Sequence, residues 1–204
     1  MPEWKRESGQ SRNGQAAGET APCVASAEPA KRIPSPEGLA LRLLTGGDVP
    51  AMLALQEEML AALEDPAWYF PSEEWEFTEA VQGQEAWGFF DGERLAGFAV
   101  MTPGERRGEH SYAAMLNEPV EGSFDFHDLM VAPAMRRRGI HTAFLKLFAA
   151  LAAEDGGRTV YCTVDPGNGA SWRNFERAGY RVVCTRPAYD GRTRRFYRLD
   201  LPQE

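Results

Sequence analysis

Three consecutive arginines, Arg136, Arg137 and Arg138, run through Gly139 into an apolar helical pattern of Ile140, Phe144, Leu147, Phe148 and Leu151. Just upstream, an apolar strand containing Phe126, Leu129, Met130 and Val131 is stopped by Pro133. A strand–turn–helix junction of this kind turns unpaired backbone N–H groups and the positive end of a helix dipole outward. With cations around it, the natural guest is a phosphate-bearing ligand. Gly139 suits that use, because a residue without Cβ lets a phosphate approach the main chain. A solvated basic face is the plain alternative. Exposed cations there oppose the dipole by ~0.3–1 kcal/mol each, a sign that a bound polyanion reverses. No Gly-Lys-Ser/Thr follows, so this is no Walker loop, and one glycine stands where a dinucleotide fingerprint has three.

A second group of reactive residues precedes the junction. Asp125, His127 and Asp128 lie on the strand that ends at Val131, and strict alternation puts Asp125, His127, Leu129 and Val131 on one face. His127 could exchange protons or be a structural histidine bonded to a neighbour. The segment Asp65-Pro66-Ala67-Trp68-Tyr69-Phe70-Pro71, followed by Glu73, Glu74 and Glu76, has aromatics and carboxylates that suit an ammonium group. It could equally pack a helix–helix connection. His110, His127 and His141 show no metal-ligand spacing, so no metal is expected. Cys23, Cys162 and Cys184 have no CxxC spacing and read as reduced thiols of a cytoplasmic protein.

Val131-x-Pro133-x-x-Arg136-x-x-Gly139-x-His141 resembles the acyl-CoA pyrophosphate loop of the GCN5-related N-acetyltransferases (GNAT), usually Arg/Gln-x-x-Gly-x-Gly/Ala. His141 stands where that family has a small residue. Downstream, Asn168-x-x-Ser171-x-x-x-Phe175-Glu176-x-x-Gly179-Tyr180 resembles its later motif, Asn-x-x-Ala/Ser followed by Tyr-Glu-x-x-Gly-Phe. The element order that accompanies both motifs covers residues 39 to 201. The resemblance implies acetyl transfer from acetyl-CoA, as co-substrate, to a primary amine by direct attack in a ternary complex. It assigns the pyrophosphate to Arg136, Arg137, Arg138, Gly139, Ile140, His141 and Thr142. The pantetheine arm would lie between two splayed parallel strands, against the backbone of Met130 and Val131, with Asn168 and Ser171 beside it. On chemistry alone, Asn168 is as well explained as a helix N-terminal residue.

Such a reaction needs a neutral amine, whereas a lysine-like amine has a pKa of about 10.4. Several family members place their general base on the strand that carries His127, so the resemblance makes His127 the base, with Asp125 or Asp128 tuning or replacing it. The tyrosine that often protonates the leaving thiolate is here Phe175, which has no proton to give. Tyr161, Tyr180, Tyr189, Cys162 and solvent all stay open as substitutes. That gap keeps alive a rival of another class, a non-catalytic acyl-CoA sensor. Transfer of a larger acyl group, and an interaction module with a vestigial cleft, are further rivals.

The elements that must position these groups are legible from periodicity. Leu39 to Thr45 reads as a strand. Asp48 caps a helix with the stripe Met52, Leu55, Met59 and Leu63, stopped by Pro66. A second helix, Ser72 to Gln82, is capped by Ser72. Residues 86–90 and 95–101 form a hairpin around Asp91-Gly92. Residues 102–109 read as a polar turn, 111–115 as a weak strand and 123–131 as a firm one. The helix 138–154 crosses over to a strand at 159–164, a length that suits a parallel pair. A short helix at 170–178 and a hairpin of 180–186 with 194–201 around Asp190-Gly191 complete the order. The result is an α/β (α+β type) single domain, residues 38–204, with a mixed, mostly antiparallel sheet flanked by helices.

Residues 1–37 are poor in large apolar side chains and read as a disordered tail. No apolar run approaches the ~20 residues of a membrane span, and the N-terminus has no signal-like apolar region. Net charge is −8, which disfavours nucleic acid and suits a cationic acceptor, a small-molecule or peptide amine. A homodimer stays open.

Overall fold

Seven strands form one sheet, in the order β1-β2-β3-β4-β5-β7-β6, in the computed structural model, which describes residues 35–189 and 191–203. The strands are β1 (Ala40–Leu43), β2 (Ala86–Asp91), β3 (Arg94–Pro103), β4 (Ser123–Val131), β5 (Thr159–Val164), β6 (Arg181–Ala188) and β7 (Arg192–Asp200). The helices are α1 (Val49–Ala61), α2 (Glu74–Gln82), α3 (Gly104–Arg107), α4 (Tyr112–Met115), α5 (Ile140–Glu154) and α6 (Gly169–Arg177). The tail reading, with Cys23, falls mostly on residues 1–34, outside those described, and so does Asp190 of the last turn.

Every neighbouring strand pair is antiparallel except β4 with β5, as the α5 crossover requires. One face of the sheet is covered by α5, whose Phe144, Leu147, Phe148 and Leu151 are buried. Phe126 of β4 meets Phe148 edge to face at 4.9 Å. On the other face α1 buries Met52, Leu55 and Met59, and Phe77 of α2 packs edge-on to Phe98 of β3 at 5.4 Å.

Four local readings need correction. Residues 111–115 form the one-turn helix α4, because the Ser111 hydroxyl caps the Ala114 N–H at 3.1 Å. Residues 104–107 form α3, where a polar turn was expected. Asp48 sits at the start of α1, but its carboxylate turns back to the Thr45 N–H and hydroxyl and to Arg42. Ser72 does not cap α2; Glu73 holds that place and Ser72 is used elsewhere.

The correction that matters most lies within β4. His127 pairs with Val100 and Leu129 with Ala99, so Asp128 is an extra residue in a bulge, with φ +36°. Beyond it the alternation flips. Asp125 and His127 share the α1–α2 face with Met130, while Leu129 and Val131 turn to the α5 face with Phe126. The expected single face from Asp125 to Val131 is therefore broken in the middle.

Candidate active site

Parallel pairing of β4 with β5 stops after Asp125 and Tyr161, although β4 runs on to Val131 and β5 to Val164. From there the two strands diverge, as expected of a splayed pair. The Ala132 N–H bonds the Ala96 carbonyl at 2.9 Å, which fixes the ladder's parity. Met130 thus turns its main chain to β3, while Leu129 and Val131 turn theirs into the gap. The expected pair Met130–Val131 becomes Leu129–Val131 for backbone contacts, and the Met130 side chain is core, 1% exposed.

The gap opens onto the arginine-rich junction. Gly139 adopts φ +83° as the residue before α5, and no side chain caps the helix. The N–H groups of Ile140, His141 and Thr142 belong to the first turn and have no intrahelical acceptor. Arg136 and Arg137 are exposed beside them. Arg138 turns away, donating to the Glu37 carbonyl at 2.9 Å and lying 3.7 Å from Asp91. Ile140 is buried in the core, so only its N–H faces outward. Thr142 opens on a groove of about 450 Å³ between α5 and α6, with Lys146 and Arg177 on its rims. Asn168 caps α6, its side-chain oxygen accepting the Ser171 N–H at 3.1 Å, which leaves its amide NH2 for a neighbour.

At the bulge, polar side chains converge. The Asp128 carboxylate accepts from the Tyr69 hydroxyl and from the Ser72 hydroxyl at 3.0 Å, and its other oxygen faces His127 Nδ1 at 3.0 Å. Against the cost of burial, those contacts hold it below the usual carboxylate range. The other His127 nitrogen, Nε2, lies 3.0 Å from the Thr102 hydroxyl, which donates to Glu85 at 2.9 Å. Burial raises the Glu85 carboxyl despite Arg106 at 2.7 Å.

Asp125 is placed differently. It is fully buried, takes the Tyr112 N–H on both oxygens at 3.1 and 3.0 Å, and pairs with Arg107 at 3.2 Å. Burial pushes it up to about 6, opposed by Arg107 and the Tyr112 N–H. With no access to a substrate, Asp125 positions the α3–α4 segment.

The α1–α2 connection crosses the end of the splayed strands. Tyr69 reaches Asp128 in β4, while Arg192 and Arg194 of β7 donate to the Ala67 carbonyl at 3.4 and 3.2 Å. Phe70 packs on Tyr189 at 5.8 Å. Glu73 and Glu76 are engaged at the start of α2, so the packing reading of this segment fits better than an ammonium cage.

Among the suggested proton donors, Cys162 is buried and its thiol pushed far up, so it stays a core residue. Tyr161 donates to Glu118 at 2.5 Å and burial raises it to about 12. Tyr189 bonds Tyr112 and Thr163 and so borders the gap. Phe175 is buried among Phe126, His141, Tyr180 and Tyr197. Sequence reading missed Glu85 and Thr102, and it took Tyr69 only as part of an aromatic segment and Ser72 only as a helix cap. They lie far from His127 along the chain and carry no motif.

His141 lies edge-on to Phe175 at 5.3 Å, its Nδ1 buried with no hydrogen-bond partner among the described residues. Burial pulls its imidazole down to about 4. From pH 6.5 to 4 the unfolded chain binds a proton there that the folded chain refuses, so stability falls as pH falls. At pH 5 this loss is roughly 2 kcal/mol, or ~4–8 °C in Tm for a domain of this size. Asp125, raised, acts in the opposite sense between about 6 and 3.8. Because His141→Phe keeps Asp125 and removes only the opposing histidine, the Tm change on going from pH 7.5 to 5 should lie ~4–8 °C higher in that variant than in wild type. Equal differences in both proteins would contradict the buried-imidazole account.

The family model "Acetyltransferase (GNAT) family" matches residues 50–180. Among curated proteins, none matches the chain in sequence. The fold is similar to the ribosomal-protein-S18-alanine N-acetyltransferase of Escherichia coli, with TM-score 0.61 and 20% identity over 81% of this chain and 96% of that one. It is similar to an N-acetyltransferase of Staphylococcus aureus Mu50, with TM-score 0.63 and 20% identity over 80% and 99%. It also resembles yncA of Salmonella typhimurium, solved with its cofactor acetyl-CoA, with TM-score 0.61 and 15% identity over 82% and 96%. The matched model spans strand, splayed pair, arginine loop and second motif together, and the chain belongs to the GNAT acetyltransferase family.

Proposed function

We propose that the protein transfers an acetyl group from acetyl-CoA to a primary amine, on a small molecule or a peptide, by direct attack in a ternary complex. One observation carries this reading: the splayed β4–β5 gap joins the open first turn of α5 to the His127–Asp128 bulge. Arg136, Arg137 and the α5 N–H groups suit a pyrophosphate, and the free main-chain edge of Leu129 and Val131 suits an extended amide-bearing arm. The same edge would polarise the thioester carbonyl as negative charge develops on its oxygen. The amine attacks the carbonyl carbon, the C–S bond breaks, and the thiolate leaves. His127 with Asp128 accepts the proton that the ammonium must lose. Buried Phe175, which has no hydroxyl, supports the second reading, an acyl-CoA sensor without turnover.

Two measurements test the proposal. CoA should raise Tm in proportion to RT ln(1 + [L]/Kd). Gly139→Asp should abolish the shift and Gly139→Asn should only weaken it: both side chains add a Cβ in the phosphate's path at a positive φ, which asparagine tolerates better than most residues, but only aspartate adds a repelling charge. The two variants then differ only by a charge placed where phosphate belongs. Thiol release and acetyl-product mass across a panel of amines should then show turnover. Binding of acetyl-CoA with no turnover on any amine would favour the sensor, and no Tm shift at millimolar CoA would end both readings.

A further inference from the structure

His127 has no free nitrogen. Nδ1 faces Asp128 Oδ2 at 3.0 Å and Nε2 faces the Thr102 hydroxyl at 3.0 Å, which in turn faces Glu85 Oε2 at 2.9 Å. A hydroxyl has one proton. If Thr102 donates to an ionised Glu85, it must accept from His127 Nε2–H. In the neutral imidazole, Nδ1 and Asp128 then confront each other as two acceptors, a gap that one proton resolves. If Thr102 donates to Nε2 instead, Glu85 must be protonated to satisfy the hydroxyl oxygen. The two arrangements with that proton present differ only by its transfer along the row.

We infer that Thr102 and Glu85 are positioning residues that form a proton relay behind His127, with Glu85 as the store from which the amine's proton leaves. The steps balance. The amine N–H bond breaks as its proton bonds to Asp128 Oδ2, and that O–H bond breaks in turn as a bond to His127 Nδ1 forms across the 3.0 Å contact. The Nε2–H bond breaks as a bond to Thr102 Oγ1 forms, and the original Thr102 O–H proton passes to Glu85. No other bond changes. The row ends at Glu85, which is 3% exposed and paired with Arg106, about half exposed; the guanidinium keeps its own protons, so Glu85 gives its proton up to water reaching it past Arg106. Around His127 the charged neighbours are Asp128 and Asp125 on its own strand, Glu85 just before β2, and Arg106 and Arg107 of α3. Tyr69 reaches it through Asp128. Burial raises Glu85 toward neutrality, which suits a carboxyl that takes and releases a proton.

The inference rests on the acetyl-transfer reading, and its test separates the two. Imidazole nitrogen and carboxyl carbon signals of His127 and Glu85 are followed against pH in the ligand-free full chain, beside the pH profile of kcat/KM. Groups coupled by more than about one pH unit titrate in two steps that belong to the pair. Wild type should show both signals moving in both steps. Thr102→Val, close to isosteric, should abolish the shared steps and shift the acid limb of kcat/KM, while Thr102→Ser restores them. Glu85→Gln should remove one step. If Val titrates like wild type, or Ser behaves like Val, the relay is overturned and Thr102 is packing only. Shared titration without turnover on any amine would leave the relay standing and remove acetyl transfer as its purpose.

Discussion

His127→Ala is expected to lower kcat/KM by roughly 10²–10⁴-fold, the usual worth of a positioned acid or base. The loss should fall on kcat, and the Tm shift produced by CoA should persist, because His127 lies on the α1–α2 face and the arginine loop lies beyond Val131. Asp128 would keep Tyr69 and Ser72 as donors, so the bulge should survive. In wild type burial works against that carboxylate, and His127 is the main group that holds it low, ahead of Tyr69 and Ser72. A variant with unchanged rate and pH profile would move the base to solvent. A variant that loses CoA binding as well would mean that the bulge had collapsed, a distinction that the thermal shift reads directly.

What could be read from the chain beforehand was whatever is encoded locally. The Arg136–Gly139 junction and the α5 stripe are continuous segments whose residue types state their own geometry; the structure sets Gly139 before α5 and buries the stripe, while Arg138 turns away to Glu37. The parallel pair followed from the length of one crossover. Asp128 shows where this stops. A bulge is a property of two strands in register, and nothing between Asp125 and Val131 announces that β3 is one residue shorter across from it. Ser72 illustrates a second limit. A serine before a helix can cap it or reach outward, and the choice was made by Asp128, 56 positions away in sequence. The Glu85–Thr102–His127 row needs three strands aligned before it exists at all.

Asp125→Ala is expected to cost about 3–5 kcal/mol of stability, the penalty for breaking a buried charge pair from one side. Against a total of about 5–15 kcal/mol for a domain, that threatens folding at body temperature. The cause is countable. Asp125 is fully buried, and its loss strands the Tyr112 N–H, which both carboxylate oxygens now accept, and takes from Arg107 the carboxylate 3.2 Å away. Tyr112 carries the effect onward, because its hydroxyl bonds Tyr189, which bonds Thr163 at the edge of the gap. Asp125→Asn keeps an acceptor for the N–H and should cost less. Urea unfolding decides it: the midpoint should fall in Ala and partly recover in Asn, with the m-value unchanged. Residual activity per folded molecule should stay within a few-fold of wild type. A stable Asp125→Ala protein that has lost its turnover would instead return Asp125 to the chemistry, despite its burial.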